Sequence, residues 1–393
     1  MRDRLLFISA ENPYPQDSGG KLRTGNILRL LLAKYEVDLV TYAHTRETEQ
    51  PEAFPSLTVH EVDRTVTYKR AILRSLYTWR NCSYMSHVDV DMKGKIADLC
   101  RRNTYSRVFI SHSLLGCCVD IVRPLLPGAL IITDAHNFES GLSAQLARGK
   151  KGIAKAFYSL NARWTRKDEL KLMKKTGLLL TASEQDAAAF RALAPAEAHK
   201  IHPIPNFIRM ENYRARTQLP KERWILLPGN MNYFPNIHAA LYFYREIYPL
   251  VKAKVPDIRW YIVGRDVHPD VAALASLDAS IVVTGYVDSV ADYIRKAQVV
   301  IAPLQEGSGT RLKILEAWAL KTPVVSSSIG AEGLFCEHSR NIMLADEPDV
   351  FAESVILLLQ DHARGLVLAD CAHETLLAHY EEQSVKDKLL GLV

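Results

Sequence analysis

Residues 301–325, IAPLQEGSGTRLKILEAWALKTPVV, leave few folds open. Val299 to Pro303 is an apolar run that reads as a buried strand. Gly307-Ser308-Gly309-Thr310 reads as a loop, Arg311 to Leu320 as a helix, and Pro323-Val324-Val325 as the opening of the next strand. Strand, glycine loop, helix and strand in that order form a crossover unit, which calls for a parallel sheet. Backbone N–H groups and the dipole at the helix start would face an anion there. Arg311 and Lys313 add positive charge in the first turn, and Glu316 lies one turn further in. A diphosphate on the loop and a ribose diol on the carboxylate would satisfy all of these groups. The competing reading pairs Glu316 with Lys313 on one helix face, worth a few tenths of a kcal/mol when exposed.

The same alternation runs along the whole chain. Strand-like segments at Leu5–Ser9, Val37–Tyr42, Leu57–Val62, Val108–Ser111, Ala129–Thr133, Leu178–Thr181 and Ile201–Pro205 are mostly separated by helical patterns such as Met92–Arg102. One helix starts near Lys21, after Asp17-Ser18-Gly19-Gly20, and runs to Tyr35. The second half repeats the logic: strand Trp224–Leu227, helix Ile237–Lys252, strands Trp260–Val263 and Ile281–Thr284, helix Val290–Lys296, then the stretch above. At 393 residues the chain exceeds one ordinary core. We expect an α/β protein of two Rossmann-like domains facing across a cleft. The expected boundaries are 1–206, 207–380 and a C-terminal helix at 381–393 that packs back on the first domain.

Charge divides with the chain. Residues 1–220 hold 33 Lys and Arg against 22 Asp and Glu, and residues 221–393 hold 16 against 22. The first half should face something anionic. Residues 148–175 carry ten Lys and Arg with Phe157, Tyr158 and Trp164 between them, and residues 69–80 repeat the theme. Such helices suit an anionic membrane surface. They equally suit a solvated face whose aromatics enter the core, and the sequence leaves both open. No apolar run is long enough for a membrane span. The N-terminus reads as a strand and not a leader, and the six cysteines lack metal-type spacing. A cytoplasmic protein, peripheral at most on the inner face of the membrane, is expected. Neither a metal, a cofactor nor nucleic acid is expected as a partner, and HExxH, GxSxG, CxxC and P-loop patterns are absent.

Further candidates sit where strands end. Gly19 and Gly20 open a helix in the first domain as Gly309 and Thr310 do in the second. His136 and Asn137 follow a strand within Asp134–Glu139, and His136 suits a sugar hydroxyl. The alternative makes Asn137 or Asp134 an N-cap for a helix beginning near Glu139. Gly229, Asn230 and Asn232 offer small and amide groups to a phosphate or sugar, unless Asn236 simply caps the helix at Ile237. Gly285, Tyr286 and Val287 offer backbone groups to a base edge, unless they simply form a strand-exit turn.

These residues together resemble the retaining glycosyltransferases of family 4, which have the GT-B fold. The resemblance runs through Asp17–Gly20, Asp134–Glu139, Pro205-Asn206, Gly229–Asn236, Ile262–Arg265, Thr284–Val287 and Gly307–Val325. The last is similar to a Gly-Thr-Arg-x-Lys-x-x-Glu-Ala form of that family's donor motif. The resemblance implies transfer of a sugar from a nucleotide-diphosphate-sugar, of UDP or GDP type, to an acceptor hydroxyl. The acceptor would be a glycan, a lipid-linked glycan or a natural product. It makes Glu316 the ribose ligand, Gly309 and Thr310 donors to the diphosphate, Gly20 a second approach to it, His136 a contact of the donor sugar, and Thr284–Val287 the frame of the base. The chain departs from the pattern twice. Ser308 stands eight positions before Glu316 where the family has an acidic residue, and Glu306 lies ten before. The family's Arg and Lys have no counterpart in Gly229–Asn236, so Arg311, Lys313 or Arg265 is expected to supply that charge. The alternatives are a non-hydrolysing nucleotide-sugar 2-epimerase and a non-catalytic nucleotide-sugar-binding protein.

Overall fold

The structure is a computed structural model that describes residues 3–14, 16, 19–43, 54–64, 89–148, 150–213, 220–306 and 311–393. The chain divides into two compact units, residues 1–204 with 386–393, and residues 205–385.

The first unit holds a seven-stranded sheet: β1 (Arg4–Ser9), β2 (Glu36–Tyr42), β3 (Leu57–Val62), β4 (Arg107–Ser111), β5 (Leu130–Ala135), β6 (Leu178–Thr181) and β7 (Ile201–Pro203). Their order is β3-β2-β1-β4-β5-β6-β7, and every pairing is parallel. The central strands are apolar at successive positions because helices cover both faces. Leu5, Leu6, Phe7 and Ile8 are all fully buried, and Phe7 stacks on Phe109 with ring centroids 4.8 Å apart. The helix expected from Lys21 spans Gly19–Leu32, so it starts on the glycines themselves. The last helix, Glu382–Leu392, ends in this unit, where Lys34 donates to the backbone oxygens of Leu390 and Val393.

The second unit holds six parallel strands: β8 (Glu222–Pro228), β9 (Arg259–Val263), β10 (Ile281–Gly285), β11 (Ala297–Ala302), β12 (Val324–Ser326) and β13 (Met343–Leu344), ordered β10-β9-β8-β11-β12-β13. Alternate residues feed opposite faces, as the two-residue period of a strand requires. Ile225, Leu227, Val299 and Ile301 enter one core, while Trp224, Leu226, Val300 and Ala302 enter the other. The single helix expected over Ile237–Lys252 is in fact three pieces, Phe234–Tyr242, a π turn over Phe243–Ile247, and Tyr248–Lys254. Pro249 has no N–H to donate and its ring crowds the preceding turn, so the backbone widens just before it.

Both sheets have the same strand order counted from their own first strands. In each, the order reverses beside the first strand, between β1 and β4 and between β8 and β11. Ligands of open α/β sheets sit beyond the carboxyl ends of the strands at such a reversal. Each unit therefore has one such reversal.

Candidate functional site

In the second unit the β8 exit, the β9 exit and the Leu312–Ala319 helix converge within this one compact body. Gly229 follows β8 with φ +149°, and a Cβ there would lie 2.8 Å from Asn236 Nδ2 and 3.1 Å from Lys313 Nζ. Gly264, at the β9 exit, presses on it so closely that a Cβ would fall 1.6 Å from the Gly229 carbonyl oxygen. Gly229 N–H donates to Val263 O at 2.9 Å, and Met231 N–H to Arg265 O at 3.2 Å. The loop is thus sewn to its neighbour strand by backbone. Asn230 accepts at its side chain from Asn232 N–H (2.8 Å) and at its carbonyl from Asn236 Nδ2 (2.8 Å). Asn236 is therefore not the N-cap that the alternative reading made it. The helix begins at Phe234 behind Tyr233, and Asn236 sits inside the first turn as a strut.

Lys313 Nζ donates to Asn236 Oδ1 at 2.8 Å, which ties the Leu312–Ala319 helix to the β8 loop. Burial, helped by repulsion from Arg311, pulls the Lys313 ammonium down to about 7. Glu316 does not follow the competing reading of a surface pair with Lys313. It accepts a hydrogen bond from the Tyr213 hydroxyl at 3.0 Å. Burial raises the Glu316 carboxyl, against the hydrogen bond from Tyr213 and the charge of Lys313. Arg311 occupies the N-cap position with its side chain 8 % exposed, and burial lowers its guanidinium. The sequence placed the helix start one residue too early there. Arg265 lies next to Asp266, its Nε 3.4 Å from the carboxylate. Glu306 is 2.8 Å from His238 Nδ1, so the acidic residue ten positions before Glu316 is engaged by the helix after β8. Gly285 closes β10, and Tyr286 just beyond it is 74 % exposed, with Val287 half-buried against the core. Ser308, Gly309 and Thr310 lie outside the described residues. Ser326 and Ser327, which the sequence did not mark out, tie the β11 exit by donating to Ala302 O and Leu304 O.

In the first unit Gly19 and Gly20 are exposed at a helix start, and a Cβ on Gly20 would lie 3.7 Å from His136 Nδ1. His136 follows β5 and its Nε2 lies 3.2 Å from Asp134 Oδ2 and 3.5 Å from Ser111 Oγ. Asp134 is no helix cap. It lies inside β5, fully buried, in a two-pronged ion pair with Arg23. Burial alone would raise the Asp134 carboxyl, but Arg23 and His136 hold it well below the usual carboxylate range. Arg23 also donates to Ile204 O at 2.8 Å. Asn137 Nδ2 donates to Glu139 Oε1 at 3.1 Å, at the start of the Glu139–Arg148 helix.

The sequence reading also passed over His112. His112, at the β4 exit, has φ +99°, and its ring centroid is 4.7 Å from that of His136. Its Nε2 lies 3.7 Å from Glu139 Oε1. Glu139 is buried enough that its carboxyl rises to about 7, and burial takes neighbouring Glu169 to about 8. A non-glycine residue forced to positive φ at a strand exit is strain of the kind that collects at functional sites. The basic Gly152–Lys175 helix buries Trp164 and leaves Phe157 and Tyr158 half-buried, while residues 69–80 lie outside the described residues. No helix among the described residues is long and apolar enough to cross a membrane, and no group of three or more His, Cys, Asp or Glu among them is placed to hold a metal ion.

Comparison with known proteins then bears on both units. The solved structure of Anabaena HepE in complex with UDP and glucose is 12% identical, covers 98% of this chain and 98% of that chain, and superposes with a TM-score of 0.69. The chain has the GT-B fold. Within it, residues 222–361 of this GT-B chain match the family described as Glycosyl transferases group 1. A 44.6 kDa protein in the cps region of Klebsiella pneumoniae, itself uncharacterised, is 22% identical over 370 residues, 90% of each chain. The lipopolysaccharide core biosynthesis glycosyltransferase LpsE of Rhizobium meliloti (strain 1021) is 26% identical over 148 residues, 36% of this chain and 43% of that one.

Proposed function

We propose that this GT-B protein is a glycosyltransferase that moves a sugar from a nucleotide-diphosphate-sugar to an acceptor hydroxyl. The observation that carries the reading is the convergence of Gly229, Asn236, Lys313 and Glu316 at the strand reversal of the second sheet. Gly229 keeps the backbone bare beside an ammonium, which is the environment a diphosphate needs. Glu316 lies one helical turn from Lys313, at the right remove for a ribose diol. The UDP held by the Anabaena structure supports UDP as the base-bearing half of the donor.

In this reading Lys313 and Arg311 meet the charge that develops on the departing diphosphate, and the donor is used without a metal. The loop Gly307–Thr310 would add backbone donors, and Gly285 to Val287 would frame the base. His136 orients a sugar hydroxyl, with Asp134 fixing its ring. The transfer proceeds with retention: the acceptor hydroxyl attacks from the side the diphosphate leaves, its oxygen bonds to the anomeric carbon as the carbon–phosphate oxygen bond breaks, and its proton passes to the diphosphate. The first unit recognises the acceptor. The likeness to LpsE supports a surface glycan or its lipid-linked precursor, and the Lys and Arg excess of residues 1–220 suits an anionic acceptor at the inner face of a membrane.

Titration calorimetry with UDP, GDP, dTDP and ADP, with and without magnesium, tests the donor site. One diphosphate should bind in the micromolar range, and Glu316→Ala should weaken it at least tenfold. A folded wild-type protein that binds none of the four would sink the reading.

A further inference from the structure

Glu316 is not left to find its own orientation. The Met210–Tyr213 turn carries Tyr213 under the Leu312–Ala319 helix, and the Tyr213 hydroxyl donates to Glu316 Oε1 at 3.0 Å. Tyr213 is itself fixed from two sides. Its ring packs against the apolar cluster that includes Trp318 and Ile314, and its carbonyl accepts from Arg295 Nη2 at 3.2 Å. Arg295 is in turn paired with Asp292 one turn earlier on its own helix. A carboxylate has two oxygens and about four acceptor directions. One donor on Oε1 fixes the rotamer and leaves Oε2 for another hydroxyl.

We propose that Tyr213 is a positioning residue for nucleotide binding, holding one oxygen of Glu316 so that the other meets a ribose hydroxyl. The inference rests on the donor-site reading above and goes beyond it in naming how ribose is told from deoxyribose. A glutamate free to rotate would reach either a ribose or solvent, whereas a held one is preorganised for the diol. Nothing in the local sequence points to Tyr213, which stands 103 positions before its partner.

The test is calorimetric binding of UDP, GDP and ADP, each beside its 2′-deoxy counterpart, with inorganic pyrophosphate as the probe of the phosphate cradle alone. The proteins are the full-length wild type, Tyr213→Phe, Tyr213→Leu, Glu316→Ala and the Tyr213→Phe/Glu316→Ala double variant. Wild type should prefer the ribonucleotide at least tenfold. Tyr213→Phe should weaken the ribonucleotide about five- to twentyfold, shrink the ribose preference below about threefold, and leave pyrophosphate within about twofold. The double variant should bind no more weakly than Glu316→Ala alone, because the tyrosine acts only through the glutamate. Tyr213→Leu keeps apolar packing and should lose the ribose preference as fully as Tyr213→Phe. A Tyr213→Phe protein that keeps the full ribose preference, or effects that add in the double variant, would overturn the inference while leaving the donor site standing. Failure of wild type to bind any diphosphate would overturn the donor-site reading and this inference with it.

Discussion

Lys313 would give the proposed donor site a proton signature. Its ammonium, ordinarily near 10.5, is brought to about 7 by burial and by Arg311. Each pKa unit is worth about 1.36 kcal/mol, so the empty cradle disfavours charge at this nitrogen by roughly 5 kcal/mol. A bound diphosphate reverses that balance by placing negative charge beside Nζ. The empty protein is therefore mostly neutral at Lys313 above pH 7, and the complex is charged. Binding must then take up a proton, about 0.9 per site at pH 8.5 and about 0.2 at pH 6.5, if the bound group titrates near 10. Affinity should fall about tenfold per pH unit between roughly pH 7.5 and 9.5, a range in which the diphosphate itself is fully ionised. Calorimetry in two buffers of different ionisation enthalpy reads the uptake directly. Lys313→Met should abolish the uptake, flatten the profile and weaken binding at pH 7 about ten- to hundredfold, the worth of a charged hydrogen bond. In the empty protein the sign is the opposite of a salt bridge's: the unfolded chain holds a proton that the folded one sheds, so this group makes stability rise with pH from about 7 upward. Zero uptake in wild type at pH 8.5, or the same uptake in Lys313→Met, would refute the reasoning.

Two predictions concern the first unit. Asp134→Asn strands the buried Arg23 guanidinium without its carboxylate, which should cost about 3–5 kcal/mol and be visible in thermal unfolding. Glu139→Gln should raise the melting temperature at pH 8.5 and leave it nearly unchanged at pH 4. The wild-type carboxyl titrates at about 7 when folded and near 4.5 when unfolded, so its contribution to stability is lost as pH rises between those values.

The fold was legible because parallel strands buried on both faces announce themselves as short apolar runs, and the runs from Leu5 to Val325 keep that form. The Lys313 and Glu316 positions were legible for the same local reason, since a helix repeats every three to four residues. What the sequence hid was pairing over distance. Asp134 beside Asn137 looks like capping chemistry, and only the fold brings Arg23, 111 positions away, onto it. Asn236 likewise reads as a cap until Lys313 reaches it from the motif helix 77 positions on. Local propensity has no term for such partners, nor for Tyr213. The π turn before Pro249 was readable in principle, since a proline inside a helical pattern always disturbs the turn ahead of it.

The contact between Gly229 and Gly264 also bears on how this site can change over evolutionary time. A carbon added at Gly264 would strike the Gly229 carbonyl, and one added at Gly229, with its φ of +149°, would crowd Asn236 and Lys313, so neither offers an incremental mutational path. Tyr286, standing 74 % exposed at the β10 exit, has no such neighbour to offend. If the proposed donor site is right, its phosphate end is held by sterics while its far rim is free to drift, and a lineage built on this scaffold would diversify the nucleoside long before the diphosphate cradle.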